Sequence, residues 1–168
     1  MKDLRPLLEE LRKLSKEIEW VEFKKENANP QLIGEYISAL SNSAALEDKT
    51  YAYMVWGLDD STHEIVGTQF DPKHTKKGNE ELESWLLRLL EPKIDFRFNY
   101  VSCENDKTVV VLEIKTNYFK HPVAFRGIEY IRIGSYKKIL REYPEKERES
   151  YGGFLIKFHL KKRLQNMI

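Results

Sequence analysis

The chain has 168 residues, of which 33% are charged and 41% are apolar. This length and composition predict one soluble globular domain that can bury a sizeable hydrophobic core without stabilising disulfides or metal ions. The single cysteine, Cys103, excludes an internal disulfide framework and a cysteine-rich zinc site. The first residues lack the apolar core of a signal peptide, and no apolar run approaches membrane-spanning length. We therefore expect a cytoplasmic protein with no membrane partner.

The two halves of the chain differ in charge. Residues 1–106 hold 14 Lys and Arg against 21 Asp and Glu, a net charge of −7, whereas residues 107–168 hold 14 against 6, a net charge of +8. This split is typical of a phosphate-binding face beside an acidic site. It is equally typical of a self-complementary monomer or homo-oligomer without a polyanion partner.

Apolar periodicity predicts the elements of the first half of the chain. Leucines at helical spacing predict an amphipathic helix over residues 3–16, and Trp20–Lys24 alternates as a strand. Asn29-Pro30 begins a second helix, which gives way to a polar loop over residues 41–49. The apolar run 50–58 predicts a strand covered on both faces.

The remaining elements follow from turn signals and further apolar patterns. Residues 63–70 predict a strand paired with the preceding one, and Asn79 caps a helix that ends before Pro92. Four more strands are predicted, over residues 95–102, 108–116, 123–125 and 128–133. Residues 150–153 break the chain before a basic terminal helix over residues 154–164.

This order of elements predicts an α+β fold with a mixed β-sheet and two covering helices. Helices at the N- and C-termini complete it. We expect residues 1–168 to form a single domain with its core over roughly residues 17–140. The N-terminal helix then lies within residues 1–16, and the C-terminal basic helix lies within residues 150–168.

Acidic residues lie in or directly after two of the predicted strands. Asp59-Asp60 follows the apolar run, and Glu22 and Lys24 lie on one side of the first strand. Acidic residues gathered from distant strand ends are how oxygen-ligand sites for Mg²⁺ or Mn²⁺ are built. The alternative is an ordinary polar turn at Asp60 and a local pairing of Glu22 with Lys24. Spacing alone favours the turn.

Five short motifs occur in order between residues 17 and 140. They are Glu17-x4-Glu22-Phe23-Lys24, Ala39-Leu-Ser-Asn42, Trp56-Gly-Leu-Asp-Asp60, Ile65-Val-Gly67 and Tyr130-Ile-Arg-Ile-Gly-Ser135. In this pattern the chain resembles the Schlafen-type, Alba-like nucleic-acid-binding domain family. The resemblance implies a mixed sheet with two helices, in agreement with the elements above.

The resemblance also implies a chemistry. Some members of that family are metal-dependent RNA-cleaving enzymes with two glutamates and one aspartate, which match Glu17, Glu22 and Asp60 here. An Mg²⁺ or Mn²⁺ ion held by these three carboxylates would polarise a phosphoryl oxygen or activate a water, and Lys24 would neutralise the scissile phosphate. Other members are DNA-binding or regulatory domains, often followed by a winged helix, which we do not expect in this chain.

One departure from the family pattern concerns the loop after Asn42. The family usually carries Gly-Gly there, whereas this chain continues with residues 43–50, which contain no glycine. Phosphate cradles need the backbone freedom of glycine. We therefore expect no ATP binding.

Cations in and between the late strands favour binding without chemistry. The predicted nucleic-acid contacts are Lys115, Lys120, Arg126, Arg132, Lys137 and Lys138. Interleaved aromatic residues, at positions 118, 119, 130 and 136, suit either base stacking or packing within the sheet. Arg132 should point opposite to Ile131 and Ile133, hence outward, which makes it the best phosphate contact.

Three functions therefore stay open from the sequence. The first is a nucleic-acid-binding domain that prefers RNA or single strands to duplex DNA, because no groove-reading helix is evident. The second is a metal-dependent endoribonuclease on the same scaffold. The third is a self-associating interaction domain.

Overall fold

The computed structural model describes residues 2–16, 18–116 and 121–167, with the side chains in those ranges except 153–158. Its α-helices are α1 Arg5–Arg12, α2 Pro30–Leu46, α3 Leu82–Leu89 and α4 Pro144–Gln165. Its first strands are β1 Val21–Lys24, β2 Tyr51–Trp56, β3 Lys76–Lys77, β4 Glu80–Glu81 and β5 Leu90–Glu91. Its later strands are β6 Asp95–Ser102, β7 Thr108–Lys115, β8 Ala124–Phe125, β9 Ile128–Ile133 and β10 Tyr136–Ile139.

The strands form two four-stranded sheets and one small hairpin. The first sheet has the order β1-β2-β7-β6, in which β1 runs parallel to β2 and the other pairs are antiparallel. The second sheet has the order β10-β9-β8-β5 and is antiparallel, and β3 pairs with β4. The predicted α+β fold with a mixed sheet is confirmed, but the late strands build a second sheet instead of extending the first.

Helices α1 and α2 cover opposite faces of the first sheet. The buried leucines of α1, Leu8 and Leu11, pack with Val55 and Val111 on one face. On the other face, the side chains of α2 pack against alternate residues of β2 and β7, such as Met54. Each buried aliphatic side chain contributes about 1.5–3 kcal/mol relative to exposure, so both faces are held mainly by apolar burial. No helix in the described ranges is both long and apolar enough to span a bilayer.

Helix α2 is longer than its apolar pattern predicts. It begins as expected, since Pro30 lies in its first turn and the Asn29 side chain accepts hydrogen bonds from the amides of Gln31 and Leu32. The polar loop predicted over residues 41–49 is wrong, because the helix continues to Leu46. Its last turns are polar in sequence and nevertheless buried, which is why a hydropathy pattern ends the helix too early.

The buried polar residues of α2 hold the second sheet. The Asn42 amide donates to the carbonyls of Val123 at 2.9 Å and Tyr130 at 2.8 Å, and its oxygen accepts from the Val123 amide at 2.8 Å. Ser38 accepts from the Tyr130 amide at 2.9 Å and donates to the Val123 carbonyl at 2.7 Å. These side chains satisfy the backbone groups around β8 and β9, as a neighbouring strand would. Helix α2 therefore fixes where β9 lies.

Close packing reinforces this placement. A Cβ atom at Gly34 would lie 2.3 Å from the Phe125 ring, so only glycine lets α2 approach β8 this closely.

Three further local predictions are wrong. Residues 63–70 form no strand and make one bridge, Leu58 to Ile65, since Gly57 and Gly67 turn the backbone at φ +101 and +79. Asn79 lies in the β3–β4 turn, and α3 begins after Glu81 without a side-chain cap. The break predicted at residues 150–153 is absent, because α4 continues through it.

Candidate nucleic-acid interface

Glu22 lies on β1, which is an edge strand of the first sheet. Its carboxylate receives two cations: Oε2 lies 2.7 Å from Nη1 of Arg132, and Oε1 lies 3.4 Å from Nζ of Lys24. Burial raises the pKa of Glu22 above its ordinary value of 4.5, although Arg132 and Lys24 both act to lower it. The Glu22 carboxylate is therefore held by Arg132 and Lys24, and its side chain is only 14% exposed.

Arg132 is buried, so the prediction that it points outward is wrong. Its side chain is only 1% exposed and reaches Glu22 on β1. Besides Glu22, the guanidinium donates to the carbonyls of Val21 at 2.8 Å, Lys16 at 3.3 Å and Gly134 at 3.1 Å. A buried guanidinium is stable only when it is paired and hydrogen-bonded in this way. Arg132 thus joins the second sheet to the first.

Asp60 lies on the loop that follows β2 and lines the same cleft as Glu22. Its neighbour Asp59 forms the turn, since Oδ1 accepts from the amides of Ser61 and Thr62, both at 2.9 Å. These hydrogen bonds lower the pKa of Asp59. The cleft has a volume of about 180 Å³ and is lined by Lys16, Val21, Glu22, Phe23, Asp60, Ser61, Arg132 and Ser135.

The cleft brings together two of the three predicted carboxylates. Glu17 lies outside the described residues, so its position relative to Glu22 and Asp60 stays a prediction. Among the side chains that the structure describes, no group of three acidic, histidine or cysteine residues is arranged to hold a metal ion. The described part of the cleft is therefore an ion-paired carboxylate beside a second carboxylate.

Lys24 faces Glu22 and an aromatic ring. Its ammonium lies 5.1 Å from the centre of the Tyr36 ring, which lies on α2. Tyr36 is buried, and this burial raises the pKa of its hydroxyl. The local pairing of Lys24 with Glu22, which the sequence left open, is present in the structure.

The predicted phosphate contacts fall into two groups. Lys137 forms an ion pair with Glu35 and also faces the rings of Tyr36 and Tyr130, at 5.0 and 5.9 Å, so its charge is engaged, like that of Arg132. In the second group the side chains are exposed and, among the described residues, make no ion pair with a carboxylate. This group consists of Lys115, Arg126 and Lys138. Lys120 lies outside the described residues.

Comparison with known proteins identifies the family. The family model described as Schlafen, AlbA_2 matches residues 17–141. The chain belongs to the Schlafen AlbA_2 family. The DIP2311 protein of Corynebacterium diphtheriae, a solved structure, is similar at 18% identity and a TM-score of 0.42. That match covers 81% of this chain and 29% of the other. No curated protein matches the chain.

Two motifs that the chain shares with the Schlafen AlbA_2 pattern have structural explanations here. Asn42 of the second motif bonds the backbone around β8 and β9, and Arg132 of the last motif reaches β1. Both residues therefore fix the second sheet relative to the first. These two motif residues therefore have a structural role, and Arg132 also lines the cleft.

The sequence reasoning missed an aromatic groove next to α1. Its walls are Trp20, Tyr51 and Tyr53 together with the leucines of α1, and its volume is about 370 Å³. The strand over 50–58 was predicted to be covered on both faces, but α1 covers only the second half of β2, and Tyr51 is 39% exposed. The sequence signal that could have indicated this groove is the alternation of Tyr51 and Tyr53 just after Lys49.

Proposed function

We propose that the chain is a nucleic-acid-binding domain that contacts phosphates through exposed cations of its late strands. The observation that carries this proposal is the second group of cations, Lys115, Arg126 and Lys138, whose charges meet no carboxylate among the described residues. Membership of the Schlafen AlbA_2 family supports the same function. We favour single-stranded nucleic acid and RNA over duplex DNA, because α1, α2 and α3 pack on the sheets, so none of these three helices is free to enter a duplex groove.

The proposal is tested by the salt dependence of binding to a labelled single-stranded RNA. Each phosphate contact to a single strand contributes a slope of about −0.7 in a plot of log K against log salt concentration. Three contacts predict a slope of about −2, and a duplex DNA of the same length should bind more weakly. A slope near zero, or no binding at low salt, would refute the function.

Two adjacent lysines provide a matched control within this test. Lys138→Ala removes an exposed cation and should reduce the slope by about 0.7. Lys137→Ala removes a cation that Glu35 already neutralises, so it should change the slope much less. Equal effects of the two substitutions would contradict the assignment of phosphate contact to the exposed group.

A metal-dependent endoribonuclease is the second candidate, supported by Glu22 and Asp60 lining one cleft. The described residues by themselves do not form a metal site, because the Glu22 carboxylate already pairs with Arg132 and Lys24. The candidate therefore depends on Glu17 joining them. Structured RNA incubated with Mg²⁺ or Mn²⁺ should be cleaved, and Glu22→Ala and Asp60→Ala should each abolish cleavage while RNA binding persists. Unchanged cleavage in both variants would assign the activity to a contaminating nuclease.

A further inference from the structure

The aromatic groove presents three rings at one end of the first sheet. The rings of Tyr51 and Tyr53 are stacked, with centroids 6.2 Å apart and an angle of 25° between their planes. Trp20 lies 6.4 Å from Tyr53 at a steeper angle of 59°. Trp20 and Tyr53 are half-buried and Tyr51 is exposed, so each ring retains some surface toward the groove. A row of partly exposed rings is a stacking surface for other flat groups.

Two cations lie at the same end of the sheet as these rings. Lys115 is the direct partner of Tyr51 in the β2–β7 register, so their side chains share one face of the sheet. The chain next to Lys115 is bonded to the segment after Lys49, since the Thr116 amide donates to the Thr50 carbonyl at 2.8 Å. The Lys49 ammonium lies 5.2 Å from the centre of the Trp20 ring. Both lysines are exposed, and neither pairs with a carboxylate in the described ranges.

Acidic residues also lie at this end of the sheet, since Glu10 lines the groove and Asp95 on β6 is the register partner of Lys115. Glu113 is the register partner of Tyr53, and burial, together with the charge of Glu113, raises the pKa of the Tyr53 hydroxyl to about 12. These carboxylates repel a phosphate and the lysines attract it, so a phosphate should lie at Lys49, whose ammonium is next to the Trp20 ring, with Lys115 as the second cation. Rings with cations at their edge fit bases that stack while their backbone follows the cations.

We propose that the aromatic groove is a base-stacking site for unpaired nucleotides, in which Tyr51, Tyr53 and Trp20 contact bases and Lys49 and Lys115 contact the adjoining phosphates. This inference rests on the proposed nucleic-acid binding and gives it a specific surface. The groove volume of about 370 Å³ has room for a nucleotide rather than a long helix. The two lysines favour a polyanion over an apolar peptide or a second copy of the chain.

Intrinsic fluorescence can report this site directly. The chain has three tryptophans, of which Trp56 and Trp85 are 0% and 7% exposed in the core, whereas Trp20 lies at the groove. Titration with oligouridylate should quench the emission of the intact protein. Trp20→Phe should remove most of this quench while an anisotropy assay still detects binding of the labelled oligonucleotide.

Substitution of Tyr51 measures the contribution of stacking. Because stacking on an aromatic ring strengthens binding by about 5- to 150-fold per base, Tyr51→Ala should weaken oligouridylate binding within that range, and Tyr51→Phe should preserve it. The matched control is Tyr100→Ala on β6, a tyrosine that is 39% exposed like Tyr51 and is not part of the groove lining, which should leave affinity unchanged. Chemical unfolding of each variant identifies any loss that comes from destabilisation.

An abasic oligonucleotide distinguishes this inference from general nucleic-acid binding. It carries the same phosphates without bases, so it should bind more weakly than oligouridylate, and Tyr51→Ala should not weaken it further. If the protein binds both oligonucleotides equally, or if Tyr51→Ala has no effect, the stacking site is refuted and the phosphate-binding function stands. Absence of all binding refutes the proposed function itself. A change in sedimentation of Tyr51→Ala without any change in affinity would assign the groove to self-association.

Discussion

Charges are arranged in opposite ways in the cleft at Glu22 and in the aromatic groove at Trp20. These two residues lie only two positions apart in the chain. On one side, Glu22 lies in the cleft and pairs with both Arg132 and Lys24. On the other side, Trp20 lines the aromatic groove with Lys49, which faces rings and meets no carboxylate in the described structure. Paired and buried charges hold elements of the fold together, whereas exposed unpaired cations are available to a polyanion.

This difference changes how a charged residue in this family member should be interpreted. Arg132 has the positive charge and the strand position expected of a phosphate contact. Its guanidinium nevertheless donates its hydrogen bonds to Val21, Lys16 and Glu22. Lys115 is exposed, has Asp95 as its register partner on β6 without an ion pair between them, and lies beside a stacked pair of tyrosines. The first half of the chain therefore contributes the rings of the groove and Lys49, and the second half contributes both a structural arginine and the exposed Lys115.

Removal of Arg132 should have the largest effect on stability. Arg132→Met leaves the partly buried Glu22 carboxylate without its closest partner, and breaking a buried pair in this way costs about 3–5 kcal/mol. Urea unfolding followed by circular dichroism should show a lower midpoint. The double substitution Arg132→Met with Glu22→Met should recover part of the loss, since no charge is then left unpaired. A double variant less stable than Arg132→Met would contradict the role of the pair.

Loss of the Asn42 side chain should have the next largest effect. Asn42→Ala leaves backbone groups of Val123 and Tyr130 unsatisfied, at a cost of about 2–3 kcal/mol in the free energy of unfolding. The matched control is Ser41→Ala in the same helix, because the Ser41 hydroxyl bonds only to helix carbonyls. That substitution should cost well under about 1 kcal/mol. If both variants lose equal stability, the bonds to the second sheet are not what Asn42 contributes.

The pH dependence of stability should show the smallest effect. Burial raises the pKa of Glu22 in the folded state above its ordinary value of 4.5, so the folded state binds a proton more readily than the unfolded state does. The stability contributed by protonated Glu22 is fully present below pH 4.5 and is lost as the pH rises through the folded-state pKa. The stability of the protein relative to Glu22→Gln should therefore fall across this window. A relative stability that rises with pH would mean that Arg132 and Lys24 outweigh burial.

Strands with regular patterns were the most predictable part of the fold. The predicted bounds of β6 and β9 are the observed ones, because alternating residues of β6 face the core and β9 is closed by the Gly134 turn. The end of α2 was not predictable from hydropathy, since Ser41 and Asn42 are polar residues that are buried by bonding to backbone. Polar side chains that bond to the backbone of a strand, as a neighbouring strand would, leave no apolar pattern in the sequence.

The candidate site was predictable only in part, for a related reason. Arg132 lies within a strand, as predicted, but strand alternation does not reveal whether a face meets water or other parts of the protein. Glu22 and Asp60 share a cleft, as the family pattern led us to expect, while the relation of Glu17 to them stays a prediction. The aromatic groove was missed because an uninterrupted apolar run predicts a fully covered strand, whereas α1 is only eight residues long.

The contact between Arg132 and Val21 has a consequence for how copies of this protein meet. Strand β1 forms one border of the first sheet, and unpaired backbone groups on such a border invite strand addition by another molecule. The guanidinium donates to the Val21 carbonyl and so satisfies one of the backbone acceptors on this border. That carbonyl is therefore not available to an incoming strand of another molecule, and strand addition at this position would first have to displace the arginine.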